Sequence, residues 1–330
     1  MPSDARVAEP LARAFERDRR HVWGLCYRMT GSAADADDLV QETWLRALER
    51  PPADLDAPLR PWLARVATNL SRDALRRRRR RDYHGSWLPA PVPDAALEPE
   101  PAASEASAPD ARYGLAESAT QAFLLALEAL TPAQRAVLLL RDVYGASVRE
   151  TAEATGLSEP NVKTTHHRAR RQLAAYDASP CRPTPELFAR VRDLLERFAL
   201  AVAASDPARI AALFREDAEL WSDADGEFLS NPRPVRGAAA IARFYAARSA
   251  ALGAPPFLEL TSLNHLPAAL LGFAPQRDAR LATRVALAVV PGPDGRIARL
   301  HNVVATPKLA ALRARFPASV EGAGGEGARG

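Results

Sequence analysis

Apolar positions in the first third of the chain recur at three- and four-residue steps, the period of an amphipathic helix. Leu11, Phe15, Val22, Leu25 and Cys26 set this pattern over residues 9–30, and Gly31-Ser32 interrupts it. Ala36, Val40, Thr43 and Ala47 mark a second buried stripe over 33–49. Its first turn carries Asp35, Asp37 and Asp38, where negative charge favours the helix dipole. The proline-bracketed segment 51–58 must loop, and a third helix is expected over 59–81 with Trp62, Val66, Leu70 and Leu75 on its inner side. Residues 85–117 lose the period and are rich in Pro, Ala, Ser and acids, the composition of a linker. Helical spacing returns at 120–130. It resumes after Thr131-Pro132, a start with proline in the first turn, and runs to about Asp142. Two short helices follow, over 147–154 and 158–173, and the chain loosens again over 174–184.

The last third changes character. Leu187, Val191, Leu194, Leu195, Phe198 and Val202 describe an amphipathic helix over 185–204, with shorter helices at 207–214 and 237–251. Strand-like runs lie at 218–221, 257–263, 268–272, 281–290 and 297–304. The segment 291–295, Pro-Gly-Pro-Asp-Gly, is a hairpin signal. Helices first and strands afterwards describe an α+β domain. A length of 330 residues therefore divides into several domains.

Charge changes this picture more than composition does. The net charge is only +4, but residues 76–81 are six consecutive arginines. Residues 91–117 hold Asp94, Glu98, Glu100, Glu105, Asp110 and Glu117 against the single Arg112. A basic block beside an acidic joint suggests a surface for a polyanion. The two cysteines, Cys26 and Cys181, have no metal-ligand spacing and read as isolated reduced thiols. No run approaches the roughly 20 apolar residues of a membrane span, so a cytoplasmic protein without a membrane partner is expected.

The helices at 147–154 and 158–173 carry the sharpest chemistry. Ala152 suits a close helix–helix contact, Gly156 a tight turn with positive φ, and Ser158 an N-cap. Pro160 is tolerated in the first turn. Val162, His166, Ala169 and Leu173 form the inner stripe of the second helix, which makes His166 structural. Asn161, Lys163, Thr164, His167, Arg168 and Arg171 point elsewhere and offer donors and acceptors suited to base edges and phosphates. This is a helix-turn-helix with a basic outer face. A solvated basic helix in an ordinary bundle is the competing explanation.

The segment Asp35-Ala-Asp-Asp-Leu-Val-Gln-Glu-Thr-Trp44 resembles the region 2 signature of bacterial sigma factors. So does Pro61-Trp-Leu-Ala-Arg-Val-Ala-Thr-Asn-Leu70, followed by Asp73, Leu75 and the arginines. The stretch from Leu130 to Arg171 resembles region 4. Order and spacing are similar to those of the extracytoplasmic-function (group IV) sigma factors, over about residues 10–176. The resemblance implies that the acidic helix docks on core RNA polymerase through Asp38, Leu39, Gln41 and Glu42. It implies that Asn69, Arg72, Arg76 and Arg77 bind the melted −10 element, helped by the loop 51–58, since a flipped base needs hydrogen-bonding groups and the single strand cationic walls. Lys163, Thr164, His167 and Arg168, with Arg171, would read the −35 element. His167 stands where relatives often carry a bulky apolar residue, a departure that bears on −35 preference.

Residues 184–316 resemble the SnoaL-like, nuclear-transport-factor-2-like cone, through their pattern and through Phe214-Arg-Glu-Asp-Ala-Glu-Leu-Trp221 and Pro234-Val-Arg-Gly237. Such cones host both enzymes and plain binding pockets. An acid/base pair could be drawn from Asp217, Asp223, Asp225, His265 and His301, but nothing in their spacing brings them together. No catalysis, cofactor or metal is expected, and an unknown small molecule could occupy the cavity. A subgroup of these sigma factors carries such an extension as an in-chain regulator, with a Trp-Leu-Pro-Glu-Pro motif after region 2. Here the motif reads Trp87-Leu88-Pro89-Ala90-Pro91. The subgroup's Asp-Gly-Gly-Gly-Lys loop reads Asp223-Ala224-Asp225-Gly226-Glu227, and a late Lys-Leu pair survives as Lys308-Leu309. Trp87, Leu88, Pro89, Asp223, Asp225 and Lys308 are thus the expected regulatory contacts between linker and extension.

The expected fold is multi-domain: two all-α sigma domains, a region 2 helical bundle and a region 4 helix-turn-helix, plus an α+β SnoaL-like cone. The expected boundaries are region 2 at 1–84, a flexible linker with the Trp-Leu-Pro motif at 85–117, and region 4 at 118–176. A short linker at 177–184, the SnoaL-like domain at 185–316 and a disordered tail at 317–330 complete the chain. Core RNA polymerase and promoter DNA are the expected partners. The competing functions are a helix-turn-helix regulator that works without polymerase and a SnoaL-like enzyme tethered to DNA.

Overall fold

The structure is a computed structural model that describes residues 5–55, 58–80, 83–97 and 111–320, with residues 5–8 and 10 as backbone only. Arg81, residues 98–110 of the acidic stretch and residues 321–330 lie outside the described residues. The chain forms two compact units, each assembled from two stretches. One comprises Met1–Asp82 and Ala95–Cys181, the other Tyr83–Asp94 and Arg182–Gly330.

The first unit is helical. Helices α1 (Ala5–Thr30), α2 (Ala33–Glu49) and α3 (Arg60–Arg78) form a bundle. Leu11, Phe15, Val22, Leu25 and Cys26 of α1 are buried, as are Ala36, Val40, Thr43 and Ala47 of α2, so the expected stripes are the core. Ser32 caps α2 by accepting from the Asp35 amide. The third helix is rotated from its expected phase. Leu63, Ala64, Ala67, Thr68, Ser71 and Leu75 face inward, while Trp62, Val66 and Leu70 are only half-buried. Small residues let α3 lie close against its neighbours, and large residues alone mark the wrong side.

The rest of this unit holds α4 (Leu115–Ala119), α5 (Gln121–Ala126) and α6 (Pro132–Leu138), whose end widens into one π-helical turn over Leu139–Val143. Thr131 and Gln134 form a capping box around the Pro132 start. Helices α7 (Val148–Thr155) and α8 (Glu159–Gln172) are the helix-turn-helix, and α9 (Ala174–Asp177) follows. Gly156 takes φ 71 at the C-terminus of α7, the left-handed conformation the tight turn requires.

Buried arginines join the bundle to the helices that follow. Arg28, fully buried, donates to Ser118 Oγ (2.7 Å), the Leu115 carbonyl (2.9 Å) and Tyr144 Oη (3.2 Å). Arg135, 2% exposed, donates to the Met29 carbonyl (2.8 Å) and to Glu128 (2.7 Å). Arg78 donates to the same Glu128 and to the Thr30 carbonyl. Among buried groups, such pairing satisfies charges that would otherwise be costly to desolvate.

The second unit packs α10 (Pro185–Ala203), α11 (Pro207–Ala212) and α12 (Ala238–Leu252) on one mixed sheet. Its strands are β1 (Phe214–Asp223), β2 (Val235–Arg236), β3 (Phe257–Leu263), β4 (Leu266–Gly272), β5 (Arg284–Pro291) and β6 (Ile297–Val303), in the order β2-β1-β6-β5-β4-β3. Among the described residues, only β1 and β6 run parallel, and every other strand pair is antiparallel. Val191, Leu194, Leu195 and Phe198 of α10 meet Leu220, Leu287 and Leu300 of the sheet in one core. The α+β expectation and the 291–295 hairpin are both observed. The two-residue β2 has too little pattern to be seen in the sequence.

Two expectations need correction. Residues 83–94, of which 83–84 were expected in region 2 and 85–94 in the flexible linker, belong to the second unit, with Leu88 and Val92 fully buried. Residues 317–320, counted as tail, include a 3-10 turn at Ala318–Val320, and Val320 is buried.

Candidate functional site

The recognition helix is built from its cap outward. Ser158 accepts from the Asn161 amide, and Val162, Ala169 and Leu173 are buried. His166 belongs to the inner side: its Nε2 lies 2.9 Å from Asp142 Oδ2, and Arg170 Nε donates to the same carboxylate at 2.9 Å. Burial alone would raise the Asp142 carboxyl, but His166 and Arg170 outweigh it and hold the group below its ordinary range. With α8 fixed in this way, Lys163, Thr164, His167, Arg168 and Arg171 are all exposed. Their spacing of one, four, five and eight residues from Lys163 places them on one face. Ala152, expected at the contact between the helices, is only half-buried, and Thr151, Ala154 and Thr155 take the buried places.

Those buried positions meet α3. Asn69 Nδ2 donates to the Ala154 carbonyl (3.2 Å) and Arg72 Nη1 to the Thr155 carbonyl (2.6 Å). The last carbonyls of α7, which no helical amide can satisfy, are thus capped by two residues expected to read DNA. Arg76 and Arg77 are exposed, and Arg76 pairs with Asp73 at 2.9 Å. Arg78 and Arg79 are engaged within the unit, with Glu128 and with the Leu130 carbonyl. The arginine run is therefore divided between outward and structural roles.

On α2, Asp38 and Gln41 are exposed and Glu42 is partly so, paired with Arg46 at 2.8 Å. Leu39, grouped with them from the sequence, is 6% exposed and serves the bundle core. Leu45, 52% exposed, follows Asp38, Gln41 and Glu42 at helical spacing on one face. An exposed leucine beside acids was a signal available in the sequence.

In the second unit, Asp223 gathers the Trp87 segment. Asp223 is fully buried and accepts from Tyr83 Oη (2.5 Å), the Leu88 amide (2.6 Å) and Lys308 Nζ. Lys308 also donates to the Leu88 carbonyl at 2.5 Å. Its ammonium lies 4.9 Å from the Tyr83 ring centre and 4.6 Å from that of Trp87, within cation–π range of both. Leu88 and Pro89 are buried. Farther along, the Val92 carbonyl accepts from the Asn264 amide, and Asp94 accepts from the Ser262 hydroxyl and the His265 amide. Asn264 and His265 have φ of 54 and 63, the paired positive values of a two-residue hairpin turn. Asp225 is exposed on its own turn. Glu227, where the subgroup pattern has lysine, accepts from the Thr306 amide (2.8 Å) and hydroxyl (2.5 Å) and so anchors the turn that carries Lys308. Tyr83, Asp94 and Glu227 were not found from the sequence.

The five acid/base candidates do not converge. Asp217 is exposed and paired with Arg215, Asp223 holds the segment just described, and His265 forms a hairpin turn. His301 is buried, and burial, with Arg299 nearby, pushes its imidazole down to about 3. None of the five lines the cavity between α10, α12 and the sheet, whose volume is about 340 Å³. No described helix is long and apolar enough to cross a membrane.

The family Sigma-70 region 2 matches residues 14–81, and Sigma-70, region 4 matches 120–173. The ECF RNA polymerase sigma factor SigJ of Mycobacterium tuberculosis is 34% identical over 232 residues, 70% of each chain. SigG of the same organism is 40% identical over 245 residues, 67% of this chain and 62% of its own. The crystal structure of Mycobacterium tuberculosis SigJ superposes with a TM-score of 0.66 at 28% identity, covering 91% of this chain and 98% of that one. Two helical sigma regions, their order along the chain and the C-terminal sheet all recur together, and the chain belongs to the extracytoplasmic-function RNA polymerase sigma factors.

Proposed function

We propose that the chain binds core RNA polymerase through the exposed face of α2 and directs initiation at its own set of promoters. Lys163, Thr164, His167, Arg168 and Arg171 would read duplex DNA at the −35 element. Asn69, Arg72, Arg76 and Arg77 would bind the opened −10 strand. The observation that carries this reading is the pairing, in one chain, of an acidic docking face on α2 with a basic exposed face on α8. A regulator that works without polymerase has no use for the first. Because Asn69 and Arg72 are engaged with α7, we further propose that the two sigma regions part when polymerase binds. A polymerase partner implies a cytoplasmic site of action.

The C-terminal domain acts, in this proposal, as a regulator in cis. It holds residues 83–94, the joint between the two DNA-reading regions, through Asp223 and Lys308. No carboxylate or histidine is among the described residues lining its cavity, which supports a binding role over a catalytic one. The test is reconstituted transcription with core polymerase and co-purification of Asp38→Arg. The expected result is promoter-specific initiation and loss of polymerase binding in the variant. Failure of initiation by both the full chain and a chain truncated near residue 205 would overturn the proposal.

A further inference from the structure

The cavity of the second unit has the build of a site for one chemical class. Its wall is apolar almost throughout, with Leu195, Phe198, Leu271, Leu287 and Val304 among the lining side chains. At about 340 Å³ it falls at the lower end of the range for small organic ligands, roughly 300–1,000 Å³. Leu229 and Leu258 line it while remaining 45% and 48% exposed, so its mouth is apolar too. Such surface favours an apolar guest.

The polar groups are few. Tyr245 Oη donates to Asn302 Oδ1 at 3.0 Å, which satisfies both within the wall. Ser222 Oγ is buried and has no hydrogen-bond partner among the described residues. Among the described lining residues, Arg248 is the one ionised side chain. It is half-buried, lies against the Phe244 ring, and has neither a carboxylate nor a hydrogen-bond partner among the described residues. A guanidinium is a planar fork matched to a carboxylate, and a partly dry site strengthens that match.

We propose that this cavity binds an amphipathic organic acid, with its carboxylate on Arg248 and its apolar body between α10, α12 and the sheet. Ser222 supplies a second polar contact deeper in the wall. The position gives binding a use: Ser222 lies on the cavity, and the next residue of β1, Asp223, holds the Trp87 segment. That use rests on the regulatory role proposed above; the binding itself does not.

Calorimetric titration of the full chain, without polymerase or DNA, tests the site. The probes are straight-chain acids from hexanoate to dodecanoate and phenyl-substituted acids, each below its aggregation concentration, beside alcohols of equal length. At least one acid should bind at least tenfold more tightly than its alcohol. In Arg248→Gln that preference should vanish with alcohol affinity unchanged, and Arg248→Lys should recover part of it. A thermal melt of each variant separates loss of the site from loss of the fold. Equal binding of acid and alcohol, acid preference that survives Arg248→Gln, or no binding across the set would each overturn the proposal. Because no transcription is read, a failure here leaves the sigma-factor reading standing, and the reverse.

Discussion

Lys308 shows how much a single side chain can hold. Its ammonium meets a buried carboxylate, a backbone carbonyl and two aromatic rings. Replacing it by methionine keeps the stem and leaves Asp223 charged and buried without its cation. Removing one partner of a buried pair costs about 3–5 kcal/mol. Lys308→Met should therefore lower the melting midpoint and open residues 83–94 to protease. Adding Asp223→Asn should recover part of the loss, because no orphan charge remains. Equal protease resistance in Lys308→Met and the parent would remove Lys308 from this role. The sequence suggested Trp87, Asp223 and Lys308 through resemblance alone. Tyr83 and Glu227 stayed hidden, because a lone tyrosine after an arginine run, or an acid in a loop, becomes informative only when folding supplies its partner.

At the scale of elements, the proposed function gives α3 the −10 element and α8 the −35 element, as the sequence resemblance implied. In that proposal the exposed residues of α8 would face base edges, whereas the exposed Arg76 and Arg77 at the end of α3 would offer charge without a code. Replacing both arginines by glutamine should weaken binding to unrelated promoters about equally and flatten its salt dependence by about one unit of slope per lost phosphate contact. Lys163→Ala should instead change the ranking of promoters in a competition assay. A uniform loss would show that Lys163 contacts phosphate only. Period and caps made α1, α2, α7 and α8 legible, since large apolar residues and polar caps mark their phase. The same reasoning misplaced the inner side of α3, where alanine, serine and threonine pack closely and carry little hydrophobic signal.

At the scale of the whole molecule, the helical unit depends on charges that composition does not reveal. Glu128 links Arg78 of the bundle to Arg135, itself bonded back to the Met29 carbonyl. Burial alone would raise its carboxyl, but Arg135 and Arg78 outweigh that and hold it below its ordinary 4.5. A carboxyl lowered in the folded state stabilises the fold above its unfolded value and loses that contribution as pH falls toward the folded one. Glu128→Gln should cost roughly 2–4 kcal/mol at neutral pH, less than a fully dry pair because about a third of the Glu128 side chain meets solvent. The gap between parent and variant should narrow as pH drops below about 4.5. Denaturant melts from pH 7 to 3 measure it, and a gap that stays constant would exclude the linkage. Domain class was readable because helices and strands are segregated along the chain. That residues 83–94 belong to the same unit as the sheet of residues 214–303 was not, because no local pattern encodes so distant a partner.

That long-range pairing also sets a clock. Residues 83–94 leave the ribosome well before β6, the last strand of the sheet, which ends at Val303. At roughly 5–20 residues per second, the ~200 residues between them take on the order of 10–40 seconds to synthesise. Region 4 is finished once Cys181 has been made, so over the later part of that interval both sigma regions are complete while the sheet that packs against residues 83–94 is not. If the C-terminal domain regulates in cis as proposed, each newly made copy passes through an unrestrained youth before that domain is complete. Codon choice downstream of residue 182 would lengthen or shorten that period without altering a single side chain.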